Sequence, residues 1–446
     1  MPHCVGAHPP RPAISFRGIS MFYGWKLLAA ISFCYLVGVG TCLYGFSVAL
    51  PALLADLGWS RSEASLGFSI LMLTWGISAP GVAALINRTN TRTTFLIGGA
   101  CITLGASITY FTSSLPVFYI GTGLIMGAGL SMTTVLPGTH LLAHWFVRRR
   151  ALAMGLFMAN GGLGAFFIAP AMSQLIAATG DWRVAWLCMA ISGVVVGLVG
   201  YLVIRETPAE MGQHADGAAG LTAAAPAGHK VIASAVYKTD QDWVLKDALA
   251  TRFFWLIVFV ACVATSASAV VNAHLILHLT DIGISSLIAA SALGVLGILN
   301  TAGRVLGGGA GDRLDPRWLL GGGMALQAGA LLVLITSASE FATYAFAAMF
   351  GFGFGIYLVA MTTLVANYFG SAHYASIAAI QGLAYTVVAA SGPLVAGLLY
   401  DQQGSYQISF WAFCALSVVA AGAVAAMRPP EGRSGHAAPS AAATAE

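Results

Sequence analysis

Helix-length runs of apolar residues with almost no charge recur twelve times along this chain, and that recurrence limits the possible folds more than any motif. Read between polar breaks, the runs fall at 24–50, 62–86, 94–112, 116–143, 150–176, 183–204, 253–279, 284–310, 317–337, 341–367, 374–400 and 405–427. A helix rises about 1.5 Å per residue, so about 20 residues cross a hydrocarbon layer about 30 Å thick. A membrane barrel would instead show short alternating segments. With 58% hydrophobic and 8% charged residues and a mean hydropathy of +0.83, the expectation is an all-α, multi-pass membrane protein with twelve transmembrane helices.

An even number of spans puts both termini on one side. With the first loop outside, Arg61 and Arg183 are the basic residues left on the outer face. Arg88, Arg92, Arg148, Arg149, Arg150, Arg205, Lys230, Lys238, Lys246, Arg252, Arg313 and Arg317 fall inside. The positive-inside rule therefore places both termini in the cytoplasm, and the expected location is the cytoplasmic membrane. The first twenty residues lack an apolar core followed by a small-residue cleavage site, so no cleaved signal peptide is expected. The net charge of +4 is explained by the cytoplasmic loops and reads as orientation and contact with lipid headgroups in preference to nucleic-acid binding. The cysteines are scattered without a Cys-x-x-Cys pair, which reads as reduced packing residues. No metal cluster, cofactor motif, Ser/His/Asp set or paired carboxylates appear in the spans, so neither a cofactor nor an enzyme is expected.

One polar interruption, 205–251, separates six spans from six. The implied division is a cytoplasmic segment 1–23, a six-helix bundle 24–204, a cytoplasmic linker 205–251, a second six-helix bundle 252–427 and a disordered cytoplasmic tail 428–446. The linker's middle, Gly212 to Gly228, is rich in Ala and Gly and reads as flexible. Trp243 to Ala250 suits a short interfacial helix. Landmarks repeat across the divide: Asn87 to Arg92 follows the second span and Asp312 to Arg317 the eighth, 225 residues later, while Trp145-Phe146 and Tyr368-Phe369 are 223 apart. Two related bundles in parallel are expected, with substrate held between them at mid-membrane.

Arg304 is the one Lys or Arg well inside an apolar run. Asp312 and Arg313 mark where its run meets water, so Arg304 lies about 12 Å inside that edge. Such a charge costs about 2.5 to 3.5 kcal/mol at a helix centre unless it faces a wet cavity. The alternatives are a structural arginine that snorkels to headgroups or one that receives an anion.

These landmarks resemble the major facilitator superfamily, whose signature is a Gly-x-x-x-Asp-Arg-x-Gly-x-Arg loop after the second span, repeated more weakly in the second half. Here the better copy runs from Gly308 through Asp312, Arg313 and Asp315 to Arg317. The first copy has Ala83, Asn87 and Asn90 where the pattern has Gly, Asp and Gly, followed by Arg88 and Arg92. The resemblance implies two six-helix bundles and a gating role for Asp312, Arg313, Arg317, Asn87, Arg88 and Arg92. In the family the loop Asp braces a helix N-terminus while the cytoplasmic side is shut. Asn87 lacks that charge, which implies a weaker latch in the first half.

Further stretches are similar to the branch of monocarboxylate transporters and oxalate/formate-type antiporters: Tyr23 to Trp25, Gly58 to Glu63, His144 to Gly155, Asn160 to Gly164, His274 to Ser285, Gly303-Arg304, Ser391 to Pro393 and Leu399 to Asp401. In that branch the eighth-span Arg, with an Asp or Asn one turn earlier, receives the substrate carboxylate. Arg304 and Asn300 match that pair, and i,i+4 spacing puts them on one face. Dicarboxylate members carry a Lys in the eleventh span. Its place here falls near Tyr385, and no Lys or Arg lies between Tyr374 and Tyr400. One buried cation suits a monoanion, because a dianion would leave a carboxylate unpaired.

The function implied is secondary active transport of a small monocarboxylate by alternating access, with protons as a candidate co-substrate and symport as the candidate mode. The alternatives are a carrier for another organic anion or a drug, and a transport-inactive sensor. Asn160, Tyr357, Gln381, Tyr385 and His274 join Arg304 and Asn300 as candidate substrate-binding residues. Interhelical hydrogen bonding is the competing account for the first four, and polar packing at the outer mouth for His274. Every Asp and Glu near the spans lies at or beyond an end, which leaves the proton path open between the substrate and His274, with anion exchange equally compatible. The expected partners are a small carboxylate, the lipid bilayer and protons, and the expected state is a monomer.

Overall fold

In hydrocarbon a lone segment satisfies its own backbone groups only as a helix, and the chain is helical without strands among its described residues. The computed structural model describes residues 22–147, 149–217, 237, 239, 243–311, 314–370, 373–425 and 427. Six membrane helices precede the linker: α1 Tyr23–Leu57, α2 made of Arg61–Ile77 and Ala79–Arg88, α3 Thr91–Tyr110, α4 Leu115–Trp145, α5 Arg150–Thr179 and α6 Arg183–Val203. Six follow it: α7 Arg252–Asp281, α8 Ser286–Gly311, α9 Pro316–Thr336, α10 Glu340–Phe369, α11 Tyr374–Gln403 and α12 Gln407–Ala425. Eleven helices are long and apolar enough to cross a membrane, and the bent pair forming α2 makes the twelfth.

Local sequence explains where these helices begin and bend. Ser60 accepts from the Glu63 amide while Glu63 accepts from the Ser60 amide, a reciprocal cap that starts α2. Pro80 stands in the first turn of the second half of α2, where it interrupts the hydrogen-bond ladder, and the two halves meet at 46°. α1 runs through Pro51 to Leu57, beyond the expected end at 50. A membrane helix tolerates such a proline because its neighbours satisfy the freed groups. Within α1, Gly40–Tyr44 forms a wider π turn. Large apolar side chains such as Leu104, Ile191, Leu202, Val387 and Val418 are exposed on the outer surface of the helices, as a lipid-facing surface requires.

Core packing shows how the bundles meet. One apolar core takes in most of the first bundle together with the parts of the second that lie away from the linker: Ala267 to Leu279 of α7, Ala289 to Leu296 of α8, and residues of α9 to α12 such as Leu331, Phe350, Ala396 and Phe410. A second core, including Phe253, Phe254, Tyr357, Tyr368 and Phe369, belongs to the second bundle alone and lies toward the linker. The bundles therefore share a core on one face and part toward the other. Between them, α5 and α8 approach at Gly162 and Gly297, where a Cβ on Gly162 would run into the Gly297 carbonyl.

The linker divides between the bundles. Residues 205–217 stay on the first: Trp145 donates to the Arg205 carbonyl at 2.9 Å, and the Tyr23 amide donates to Gln213 at 2.9 Å. Residues near 243 stay on the second, where the Trp243 amide donates to the Phe369 carbonyl at 3.1 Å. A short helix, Leu245–Leu249, lies within the stretch from Trp243 to Ala250 where one is expected. Most of the Gly212 to Gly228 stretch and the expected disordered tail lie outside the described residues.

Candidate functional site

Arg304 sits on α8 where the bundles begin to part. Its Nε donates to Asn300 Oδ1 at 2.8 Å, which orients the guanidinium. Its two terminal nitrogens have no hydrogen-bond partner among the described residues, so the forked end that matches a carboxylate is free. One turn away, Thr301 donates to the Ala159 carbonyl of α5 at 3.1 Å, a direct link between bundles. From α1 of the first bundle, Tyr35 and Tyr44 both lie within electrostatic reach of the Arg304 charge. In a uniform helix nine residues would set these tyrosines about 180° apart. The π turn at Gly40–Tyr44 winds less per residue and brings Tyr44 round toward the side of Tyr35. Gly161 of α5 leaves room for the Tyr35 ring, since a Cβ there would lie 2.8 Å from its hydroxyl oxygen.

The other candidates divide. Asn160 is half-buried and donates to the Leu156 carbonyl of its own helix at 2.7 Å. Tyr357 is buried in the second bundle, stacked on Phe354 at 5.5 Å between centroids, and within electrostatic reach of Tyr385. Gln381 is buried one turn from half-buried Tyr385 on α11. The structure thus joins Arg304 to Asn300 and brings Tyr357 near Tyr385.

His274 belongs elsewhere, at the face opposite the linker, where the bundles are locked. There Arg61 of α2 grips Asp281 of α7 with two hydrogen bonds of 2.7 Å each and donates to Tyr406 at 3.2 Å. Its guanidinium lies 3.7 Å from the Tyr400 ring centroid. Asp401, at the end of α11, accepts from the amides of Arg61 and Ser62 at 3.1 and 3.0 Å, so a carboxylate of one bundle caps a helix of the other. Burial pushes the Tyr406 phenol above its ordinary range, with Arg61 opposing, and it stays a neutral hydroxyl. His274 packs behind this contact, against Pro393 and Tyr406. A shallow vestibule of about 490 Å³, lined by Trp59, Arg61, Asp281 and Asp401 among others, lies over it.

At the linker face, no hydrogen bond or ion pair joins the bundles among the described residues. Arg92 donates to the Tyr201 carbonyl and lies over the Tyr201 ring at 4.3 Å, within its own bundle. Arg317 pairs with Asp315 at 2.8 Å and donates to the Met427 carbonyl at 2.7 Å, within the other. Asn87 and Arg88 are exposed. Asp312 and Arg313 lie outside the described residues. The start of α3 is held by Glu206, which accepts from the Thr91 amide at 2.6 Å, and by Asn90, which accepts from the Thr93 amide at 2.7 Å.

The lock formed by Arg61, Asp281 and Asp401 was not among the sequence-derived candidates, nor were Tyr35, Tyr44 and Glu206. A signal for the lock did exist: Arg61 is one of two basic residues assigned to that face, and Asp281 and Asp401 end second-bundle spans on the same face.

The profile of the Major Facilitator Superfamily matches residues 28–313 and 279–445. Monocarboxylate transporter 12 of Mus musculus is 23% identical over 410 residues, which is 87% of this chain and 82% of that protein. Monocarboxylate transporter 13 of Rattus norvegicus is 25% identical over 403 residues, with shares of 87% and 85%. Monocarboxylate transporter 11 of Mus musculus is 29% identical over 167 residues, and the match spans 37% of that protein's length. For its Homo sapiens counterpart the identity is 28% over 186 residues, again 37% of that protein's length. Among solved structures, a bacterial homologue of the human lysosomal transporter Spinster, inward-facing and unoccupied, is similar with a TM-score of 0.63 at 16% identity, covering 91% of this chain and 95% of that one. With a profile match over most of its length and two six-helix bundles that part toward one face, the chain belongs to the Major Facilitator Superfamily, as a multi-pass membrane protein.

Proposed function

We propose that this transporter carries a small monocarboxylate across the cytoplasmic membrane by alternating access, with Arg304 and Asn300 receiving the carboxylate. The observation that carries the reading is the Arg304 guanidinium, held at Nε by Asn300 and free at its forked end where the bundles part. A carboxylate takes two parallel hydrogen bonds from that fork. Its far side then meets Tyr35 and Tyr44 of the first bundle, so bound substrate draws the halves together. One cation at the site matches one negative charge, and the name shared by the relatives, monocarboxylate transporter, agrees.

In this reading the linker face is cytoplasmic, both termini lie there, and the structure is an inward-open state shut outside by Arg61, Asp281 and Asp401. Asn160, Gln381, Tyr385 and Tyr357 shape the cavity around the acid, Asp312, Arg313, Arg317, Asn87, Arg88 and Arg92 serve the cytoplasmic gate, and the working unit is a monomer. A proton is the proposed co-substrate. An inward proton gradient across proteoliposomes then raises uptake, and uptake indifferent to that gradient counts against symport.

A thermal-shift screen of purified protein against small mono- and dicarboxylates tests the cargo. A ligand present at 100 times its Kd stabilises by about 2.7 kcal/mol. Monocarboxylates are expected to stabilise the parent and not Arg304→Ala, and Arg304→Lys, which loses the fork, is expected to transport at under about a tenth of the parental rate. Near-normal uptake by both variants would sink the reading.

A further inference from the structure

His274 of α7 has 0% exposed surface. Its Nε2 lies 2.9 Å from the Pro393 carbonyl of α11 and 3.4 Å from Ser65 Oγ of α2. A carbonyl oxygen only accepts, so Nε2 carries the hydrogen and Nδ1 is the bare lone pair of a neutral ring. That Nδ1 is buried and has no partner among the described residues. A second proton there would make an N–H without an acceptor.

None of the charged groups around the ring gives that proton a hydrogen-bond acceptor. On α2, Arg61 repels it, and Glu63 is taken by the Ser60 amide. On α7, Asp281 is taken by Arg61, and His278 turns to Phe410 with its own Nε2 unpartnered. On α11, Asp401 is spent on the α2 amides, and Tyr400 lies under the Arg61 guanidinium. Tyr406, before α12, packs its ring on the imidazole at 4.8 Å. On α1, Asp56 is taken by Trp182 and Arg183.

We propose that His274 is a proton-binding site that operates this contact, neutral while the bundles are locked and protonated once α2 swings away from α7 and α11 and water reaches Nδ1. The open state binds the proton and the locked state does not. Acid therefore favours opening, by up to about tenfold per pH unit for one proton, and alkali favours the lock. The assignment goes beyond the carboxylate reading and does not depend on it, because opening is read without substrate.

The test uses the full chain in lipid nanodiscs, with spin labels on cysteines introduced at exposed Ser113 and Ala338 and the native cysteines changed to serine. Pulsed EPR then reports the separation of the bundles at this face. The long-distance fraction is expected to rise as pH falls from about 8 to about 5, the range a histidine switch spans. His274→Gln, whose amide still donates to Pro393 and does not titrate, is expected to keep the short distance at high pH and to lose the pH response. His278→Gln is expected to retain it. Should glutamine fail to give the locked distance at high pH, His274→Asn replaces it in the same comparison. A parent without pH response, a full response in the non-titrating His274 variant, or a response lost in His278→Gln alone overturns the assignment.

Discussion

At the scale of single residues, the bond from Arg304 to Asn300 is the observation that favours the proposed anion site over a merely tolerated charge. A snorkelling arginine would reach for headgroups, whereas here the side chain is tied back one turn along its own helix and presents its fork between the bundles. Asn300→Ala leaves Nε unpartnered and the fork free to wander. A hydrogen bond to a charged group contributes about 1.5–3 kcal/mol, so KM for the transported acid is expected to rise about ten- to hundredfold, as measured by the concentration dependence of uptake. Asn300→Asp, which adds a competing carboxylate beside the guanidinium, is expected to weaken the acid further, and equal KM values for Asn300→Asp and parent would contradict the anchoring role.

Among the elements, α5 and α8 carry the closest approach between bundles. Gly162 and Gly297 let their backbones meet, and Thr301 bridges to Ala159 one turn before Arg304. Small residues are what bring membrane helices close, since lipid provides no hydrophobic drive for association. Gly162→Ala forces the helices apart at the level of the site. Overpacking costs about 1–3 kcal/mol, and the expected result is a lower thermal unfolding temperature together with loss of uptake. Gly155 of the same helix, with no atom within 4 Å of a Cβ placed there, serves as the control, and Gly155→Ala is expected to change neither. The asymmetry of α2 and α8 also belongs at this scale. They occupy matching places in the repeat, yet α2 is bent by 46° at Ser78 to Pro80, and α8 runs unbroken past Arg304 to Gly311.

For the whole molecule, the proposed alternating access requires a lock strong enough to hold one face and weak enough to release it. The ion pair of Arg61 and Asp281 is partly exposed, at 16% and 29% of the side chains, and such pairs are worth about 0–1 kcal/mol. The carboxylate of Asp401 on the α2 N-terminus adds about 0.3–1 kcal/mol. Asp401→Asn is therefore expected to raise the unlocked fraction about two- to fivefold, read from the same pair of spin labels, and no change would remove Asp401 from the lock. Much of this protein is legible in its sequence. Span count and helix type follow from run length, because hydrocarbon leaves the backbone no alternative, and the pairing of Asn300 with Arg304 follows from helical period, because i,i+4 neighbours meet wherever the helix lies. Long-range partnerships were not legible. Arg61 meets Asp281 across 220 residues and Asp401 across 340, and Tyr35, Tyr44 and His274 find their neighbours only once helices are chosen as neighbours. That choice rests on close backbone packing between apolar surfaces that resemble one another along the chain, so the three-dimensional arrangement alone determined which face is locked, which parts, and what stands opposite Arg304.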